Sequence, residues 1–306
     1  MRNAFSKELV ELATKDSNIY LLAGDIGFKI FDEFIDKFPD RFINCGIAEQ
    51  NMVSVAAGLA SEGKIVFVYT IIPFLIMRAY EQIRVDIGIN NQNVILVGVG
   101  GGLAYDKLGS THHSCEDIAL ARTIPNLNIF CPFDPQNVVD TLNKSYLLSK
   151  DKKEPSYIRL SKGGENNLEN RVKLFENIFC FKSKNLSKNI ILTHGSISYS
   201  ILSEIDSNNI DASLICLSKI NNDSIKVLVE IISNLEKESN ILIIEEHYQS
   251  GGLYEALASE LLPLNLKHNF SNMNLKHKYI FEIYGHKELL KKSGLDMSLI
   301  KQYFSS

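Results

Sequence analysis

Residues 42–69, FINCGIAEQNMVSVAAGLASEGKIVFVY, decide the fold. FINC reads as a short strand that feeds a turn at Gly46. Residues 48–60 form a helix of small residues, closed at Gly63, whose freedom at positive φ suits a C-terminal cap. IVFVY (65–69) is apolar at every position, as expected of a strand covered on both faces. Working outward, AFSKELVELAT (4–14) has helical spacing, NIYLLA (18–23) reads as a buried strand ending at Gly24-Asp25, and FDEFIDKF (31–38) is an amphipathic stretch stopped by Pro39. Pro73 opens a helix, FLIMRAYEQIRVDI (74–87), and VILVGVG (94–100) is a strand entering a glycine-rich loop. NIFCPFDP (128–135) and SYIRLSKGG (156–164) continue the rhythm up to a polar stretch, GGENNLENR (163–171). It then restarts with NIILTHG (189–195), SISYSILSEI (196–205), ASLICLS (212–218), SIKVLVEIISNLEKE (224–238), NILIIEEH (240–247) and YEALASELL (254–262). Alternating strands and helices predict two α/β domains, the first with a mostly parallel sheet over residues 1–165. A linker is expected over 166–185 and a smaller second domain over 186–306.

The chain has 306 residues, 45% hydrophobic and 22% charged, with a net charge of −4, so it is read as globular and without a basic face for nucleic acid or an anionic membrane. That length suits two domains and excludes a large multidomain enzyme on one chain. No apolar run approaches the roughly 18 residues of a membrane span, and the amphipathic start does not read as a signal peptide. Five scattered cysteines without CxxC spacing point to reduced thiols in a cytoplasmic protein, with neither a disulfide frame nor a zinc site.

Three places could carry chemistry. Glu49 stands at the first turn of the small-residue helix, either as an exposed acid complementing the helix dipole or as a buried carboxyl with a function. In GVGGGLAYDKLGSTHHSCED (98–117), the glycines allow close backbone approach and His112 and His113 offer imidazoles. The spacing fits neither a phosphate-binding P-loop nor a dinucleotide fingerprint, and no ligand set for a metal accompanies the two histidines. Arg159 and Lys162 lie three residues apart after a strand, which suits a phosphate as well as an ordinary basic strand end. IIEEHYQSGG (243–252) reads as a packed turn or a ligand loop, the former being favoured.

Together these segments resemble the C-terminal half of transketolases. The likeness runs through MRNAFSKELVEL, PDRFINCGIAEQNMVSVAAGLAS, RAYEQIR, THHSCEDIALARTIPN, IRLSK, ILIIEEHYQSGGLYEALA and FEIYGHKELLKKSGLD, and so covers nearly the whole chain. Deoxyxylulose-phosphate synthases and, more loosely, the β subunits of 2-oxoacid dehydrogenases carry similar motifs. The resemblance implies a pyrimidine-binding domain for thiamine diphosphate, followed by the family's C-terminal domain. Glu49 matches the glutamate that hydrogen-bonds the cofactor's aminopyrimidine, where a neutral carboxyl favours the imino tautomer that deprotonates the thiazolium carbon. His112 matches a histidine on the substrate. Arg2 and Lys162 match arginines on the substrate phosphate, Arg159 a further arginine of the deoxyxylulose-phosphate relatives, and Asp25 an acid near substrate or cofactor.

The departures cluster on the substrate side. The aromatic that stacks on the pyrimidine falls on Leu75, with Phe74 beside it and Tyr69 earlier, so either leucine packs there or the helix start is shifted. The family's aspartate before the histidine falls on Leu108, although Asp106 is near. A family histidine falls on Gly100, and lysine replaces arginine at Lys162. The GDG…Asn motif that holds Mg²⁺ and diphosphate is missing, since Gly24-Asp25 is followed by Ile26. No metal is therefore expected on this chain, and a separate N-terminal subunit should supply Mg²⁺ and the diphosphate site in an α₂β₂ assembly with a homodimer contact. The expected function is the C-terminal subunit of a split transketolase, moving a two-carbon ketol unit from a ketose, expected to be phosphorylated, to an aldose. The alternatives are a related ketol or acyl transferase with another substrate, and a non-catalytic scaffold or regulatory partner.

Overall fold

The computed structural model describes residues 1–163, 166–181, 186–235 and 238–304. The first sheet holds β1 (Ile19–Ala23), β2 (Phe42–Asn44), β3 (Ile65–Ile71), β4 (Val94–Val99), β5 (Asn128–Phe130) and β6 (Ser156–Leu160). Its order is β2-β1-β3-β4-β6-β5, and every pairing is parallel. The all-apolar strands are explained by cover on both faces. Along β3, Val66 and Val68 enter one core with the helix Glu49–Ser61, while Ile65, Phe67 and Tyr69 enter another with the helix Arg2–Lys15. The chain passes from β1 to β2 on one side and returns across β1 to β3, which leaves a crevice at the carboxyl ends of these strands, where α/β sheets bind ligands. Asp25, Glu49 and Phe74 each follow one of these three strands.

The expected helix at 74–87 is irregular. Pro73–Met77 and Ile83–Ile89 are π-helical, with Arg78 N–H donating to Pro73 O at 3.2 Å, and only Tyr80–Gln82 between them is α-helical. A π turn accommodates one extra residue and changes which side chains face the crevice.

The second sheet comprises β7 (Val172–Phe175), β8 (Ile178–Phe181), β9 (Asn189–His194), β10 (Ser213–Leu217), β11 (Asn240–Tyr248) and β12 (Asn269–Leu275), in the order β12-β11-β9-β10-β8-β7. Four strands are parallel, and β8 runs antiparallel to both β10 and β7. The hairpin of β7 and β8 falls within the expected linker and corrects it: IFCF (178–181) is buried on both faces and extends the sheet. The boundary at 165, linker positions 182–185 and positions 236–237 of the expected helix 224–238 lie outside the described residues.

The two halves share an interior. Leu103, Cys115 and Phe133 of the first half pack in the core of the second. Arg159 Nε donates to Asp117 Oδ2 at 2.9 Å, and its Nη2 donates to Glu246 O at 3.0 Å. Among the described residues, no helix is long and apolar enough to cross a membrane.

Candidate active site

Glu49 is the first residue of its helix and 1% exposed, so of its two sequence readings the structure takes the buried one. The turn before it is braced by Asn44, whose Oδ1 accepts from Gly46 N–H at 3.0 Å and Asp25 N–H at 3.2 Å, while its Nδ2 donates to Asp25 Oδ1 at 3.1 Å. Gly46 is needed there, with φ at 69°. A buried carboxylate requires a partner, and Arg78 Nη1 lies 2.5 Å from Glu49 Oε2. Oε1 has no partner among the described residues.

From this pair a row of side chains leads outward. The Arg78 guanidinium lies 4.5 Å over the Phe74 ring. Phe74 meets His112 edge-on, with ring centroids 5.2 Å apart, and His112 lies 6.0 Å from Tyr105. The Lys162 ammonium stands 4.7 Å over the Tyr105 ring. Burial pushes the His112 imidazole below its ordinary pKa, favouring the neutral form. Arg2 lies within Coulombic reach of both Tyr69 and Tyr105. Asp106 and Lys162 line one cavity of about 370 Å³ between the domains. A cavity of about 570 Å³ lies wholly in the second domain and contains none of the candidate residues.

Not every candidate faces this crevice. Leu75 is fully buried in the core beside the Glu49 helix, whereas Phe74, one residue earlier in the π turn, is half-buried against His112. Tyr69 is buried on the opposite face, stacked on Phe5 at 5.7 Å and edge-on to Phe31 at 4.8 Å. Asp25 is exposed at the end of β1, against Asn44. The guanidinium of Arg159 is 5% exposed and engaged by Asp117, Ser114 O and Glu246 O. The two adjacent histidines diverge: His113 is buried, and burial pushes its pKa down. IIEEHYQSGG, expected as a packed turn, instead lies from Ile243 to Tyr248 in the buried strand β11, where Glu245 accepts from Leu253 N–H and Tyr254 N–H.

Arg78 and Tyr105 received no role from sequence, although Arg78 lies in RAYEQIR and Tyr105 follows the glycine loop. The donor set suits an aminopyrimidine: a buried carboxyl, an aromatic face, and a planar cation already bridging the two. Among the described residues, no cluster of three or more His, Cys, Asp or Glu could hold a metal ion.

Comparison with known proteins bears on the family and the fold. Residues 1–165 match the family model described as the transketolase pyrimidine-binding domain. A subunit of apulose-4-phosphate transketolase from Phocaeicola vulgatus is 33% identical over 312 residues, covering 96% of each chain. A structure named split gene transketolase, inactive beta4 tetramer, superposes with a TM-score of 0.78 at 28% identity, over 99% of this chain and 96% of that one. The transketolase of Campylobacter jejuni shares the fold with a TM-score of 0.77 at 16% identity, this chain spanning 46% of it.

Proposed function

The chain belongs to the transketolase family, and we propose that it is the C-terminal subunit of a split transketolase, active only with an N-terminal partner. The partner would hold Mg²⁺ and the diphosphate of thiamine diphosphate, and this chain the pyrimidine end, in an α₂β₂ assembly. The observation that carries the reading is the buried Glu49 with Phe74 and His112 beside it at the carboxyl ends of the strands. When bound, thiamine diphosphate supplies a carbanion that takes up and passes on a two-carbon unit.

The roles of the protein's own groups follow from position. Glu49 Oε1 holds a proton toward a nitrogen of the pyrimidine, and the packed helix behind it excludes water. Phe74 offers its ring face to the pyrimidine, Leu75 supports it from the core, and Arg78 yields the place it holds between Glu49 and Phe74. His112, neutral through burial, accepts or donates a hydrogen bond at a substrate hydroxyl. Arg2, Asp106 and Lys162 line the outer site, where cations suit a substrate phosphate; the name of the Phocaeicola relative, with its phosphorylated sugar, supports that class. Arg159 is given a structural role instead, joining the domains, and Tyr69 and Asp25 shape the crevice from behind and beside it.

The neighbour named an inactive beta4 tetramer supports the need for a second kind of chain. The test is reconstitution with an N-terminal transketolase subunit, thiamine diphosphate and Mg²⁺, using matched phosphorylated and unphosphorylated ketose donors. Ketol transfer that requires both chains and prefers the phosphorylated donor is expected. Equal transfer by either chain alone would refute the split, and preference for the unphosphorylated donor would refute the cationic outer site.

A further inference from the structure

His112 lies on a loop whose two stems are joined to each other and whose tip reaches the second domain. At the stems, Gly102 N–H donates to Ser114 O at 3.0 Å and Ser114 N–H to Gly102 O at 2.9 Å. Ser114 Oγ donates to Gly100 O at 2.8 Å. The second domain fixes this end of the loop. Glu246 Oε1 accepts from Leu103 N–H at 2.7 Å, and its side chain lies so close that a Cβ on Gly102 would fall 2.4 Å from Glu246 Cγ. Tyr248 N–H donates to Cys115 O at 2.7 Å.

Between the stems the chain makes successive turns, with Leu108 N–H donating to Tyr105 O and His112 N–H to Gly109 O, each at 2.9 Å. Such turns set the local path of the chain and leave open where the tip as a whole lies, because surface loops open at little cost. Ser110, two positions before His112, supplies the outside contact. Its Oγ donates to Ile280 O at 2.5 Å and accepts from Ile280 N–H at 2.9 Å, so one hydroxyl engages both backbone groups of one residue. Ile280 is itself fixed. Its side chain is 4% exposed in the core it shares with Leu103 and Cys115, and Tyr248 Oη donates to Lys278 O at 3.1 Å nearby. On the first domain, His112 meets the crevice through the Phe74 ring. Apolar packing is non-directional, whereas a hydroxyl bonded in both senses defines a place.

We propose that Ser110 is a positioning residue for His112: by docking the loop tip on the Ile280 backbone of the second domain, it holds the imidazole at the crevice. The proposal rests on the transketolase reading for what His112 meets there, and not for the docking itself. It gives the second domain, which carries none of Glu49, Phe74 and Arg78, a part in the reaction.

Hydrogen–deuterium exchange of the full chain, read peptide by peptide by mass spectrometry, tests the docking, and kinetics of the reconstituted pair test its consequence. In Ser110→Ala, amides of residues 104–113 and 277–283 should exchange about tenfold faster, the scale of lost hydrogen bonds of ordinary strength. Amides of β9 should keep the wild-type rate, which verifies that the variant folds. Ser110→Thr retains the hydroxyl and should restore the protection. In the reconstituted pair, Ser110→Ala should lower kcat/KM for ketol transfer about tenfold, while exchange at the thiazolium carbon, assigned to Glu49, stays within about twofold. With His112→Ala already in place, Ser110→Ala should cost less than about twofold more, because the two residues act as one unit. Unchanged amide exchange over 104–113, unchanged kcat/KM, an equal loss at the thiazolium carbon, or the full loss repeated in the His112→Ala background would overturn the proposal. A wild-type pair without ketol transfer, in a chain whose loop responds as expected, would sink the proposed function and leave the docking standing.

Discussion

Replacing Arg159 by leucine tests whether its guanidinium is a structural tie between the domains or a ligand group. Arg159 is 5% exposed and Asp117 is fully buried. Although burial pushes the guanidinium down, Asp117 and neighbouring acidic groups hold its pKa above the ordinary arginine value. The substitution leaves Asp117 with Tyr157 Oη at 2.7 Å as its remaining side-chain partner, and it removes a donor from Ser114 O and from Glu246 O. Breaking a buried pair from one side costs about 3–5 kcal/mol, because the remaining charge stays desolvated. That loss lowers the folding equilibrium constant about 10²- to 10³-fold or more, a large part of a typical domain's stability. The chain has no Trp, so urea unfolding is followed by far-ultraviolet circular dichroism. The double variant Asp117→Leu/Arg159→Leu should be more stable than the sum of the single losses predicts, with a coupling of about 1–3 kcal/mol. Lys162→Ala, which gives up only a cation–π contact, should cost about 1 kcal/mol or less. An Arg159→Leu protein within about 1 kcal/mol of wild type, with no coupling to Asp117 and with sugar-phosphate binding lost, would refute the structural assignment.

The π turn separates two neighbours. Phe74→Ala should weaken thiamine diphosphate binding in the reconstituted pair about tenfold, as loss of an aromatic contact does, with little loss of stability. Leu75→Ala should cost about 2–5 kcal/mol in unfolding and leave cofactor affinity unchanged; the opposite pattern would return the stacking role to Leu75. Stability should also fall with acidification. Burial pushes the Glu245 and Glu246 carboxyls up, but His194 and His247 beside Glu245, and His286 with the Leu103 amide beside Glu246, hold both below the ordinary 4.5. Carboxyls lowered in the folded state stabilise above their unfolded value and lose that contribution as the pH falls through the folded one. Burial holds His247 below its ordinary 6.5, so the unfolded chain takes up the proton first and the decline starts near that pH. A melting temperature unchanged between pH 7 and pH 4 would contradict these assignments.

Much of the first domain is legible in the sequence because its strands are apolar at every position and its helices are short and well punctuated. Glu49 was legible as a functional residue only through the family resemblance, because an acid at the head of a helix is equally explained by an exposed group complementing the helix dipole. The π turn was not, because FLIMRAYEQIRVDI keeps helical periodicity through it and the extra residue shows only in the hydrogen bond from Arg78 to Pro73. That one residue decides between Phe74 and Leu75. The strand pair in the expected linker was hidden by polar neighbours, although its IFCF run carried the usual mark of a buried strand. Arg159 could be read as a charge but not as a tie, since its partner Asp117 lies 42 positions away and the second domain completes the arrangement. For the same reason the cavity between the domains, lined by Asp106 and Lys162 on one side and by Ser196, Glu246 and His286 on the other, has no local signature.

In the proposed function, Glu49 would promote proton removal from the thiazolium carbon of thiamine diphosphate when both subunits are present. Hydrogen–deuterium exchange at that carbon, measured in the reconstituted pair with wild-type chain and with Glu49→Gln, reads the step without any sugar. Exchange about 10²- to 10⁴-fold slower is expected in the variant, the scale of a lost general acid–base group, with cofactor still bound. Equal exchange rates in the two proteins would contradict it.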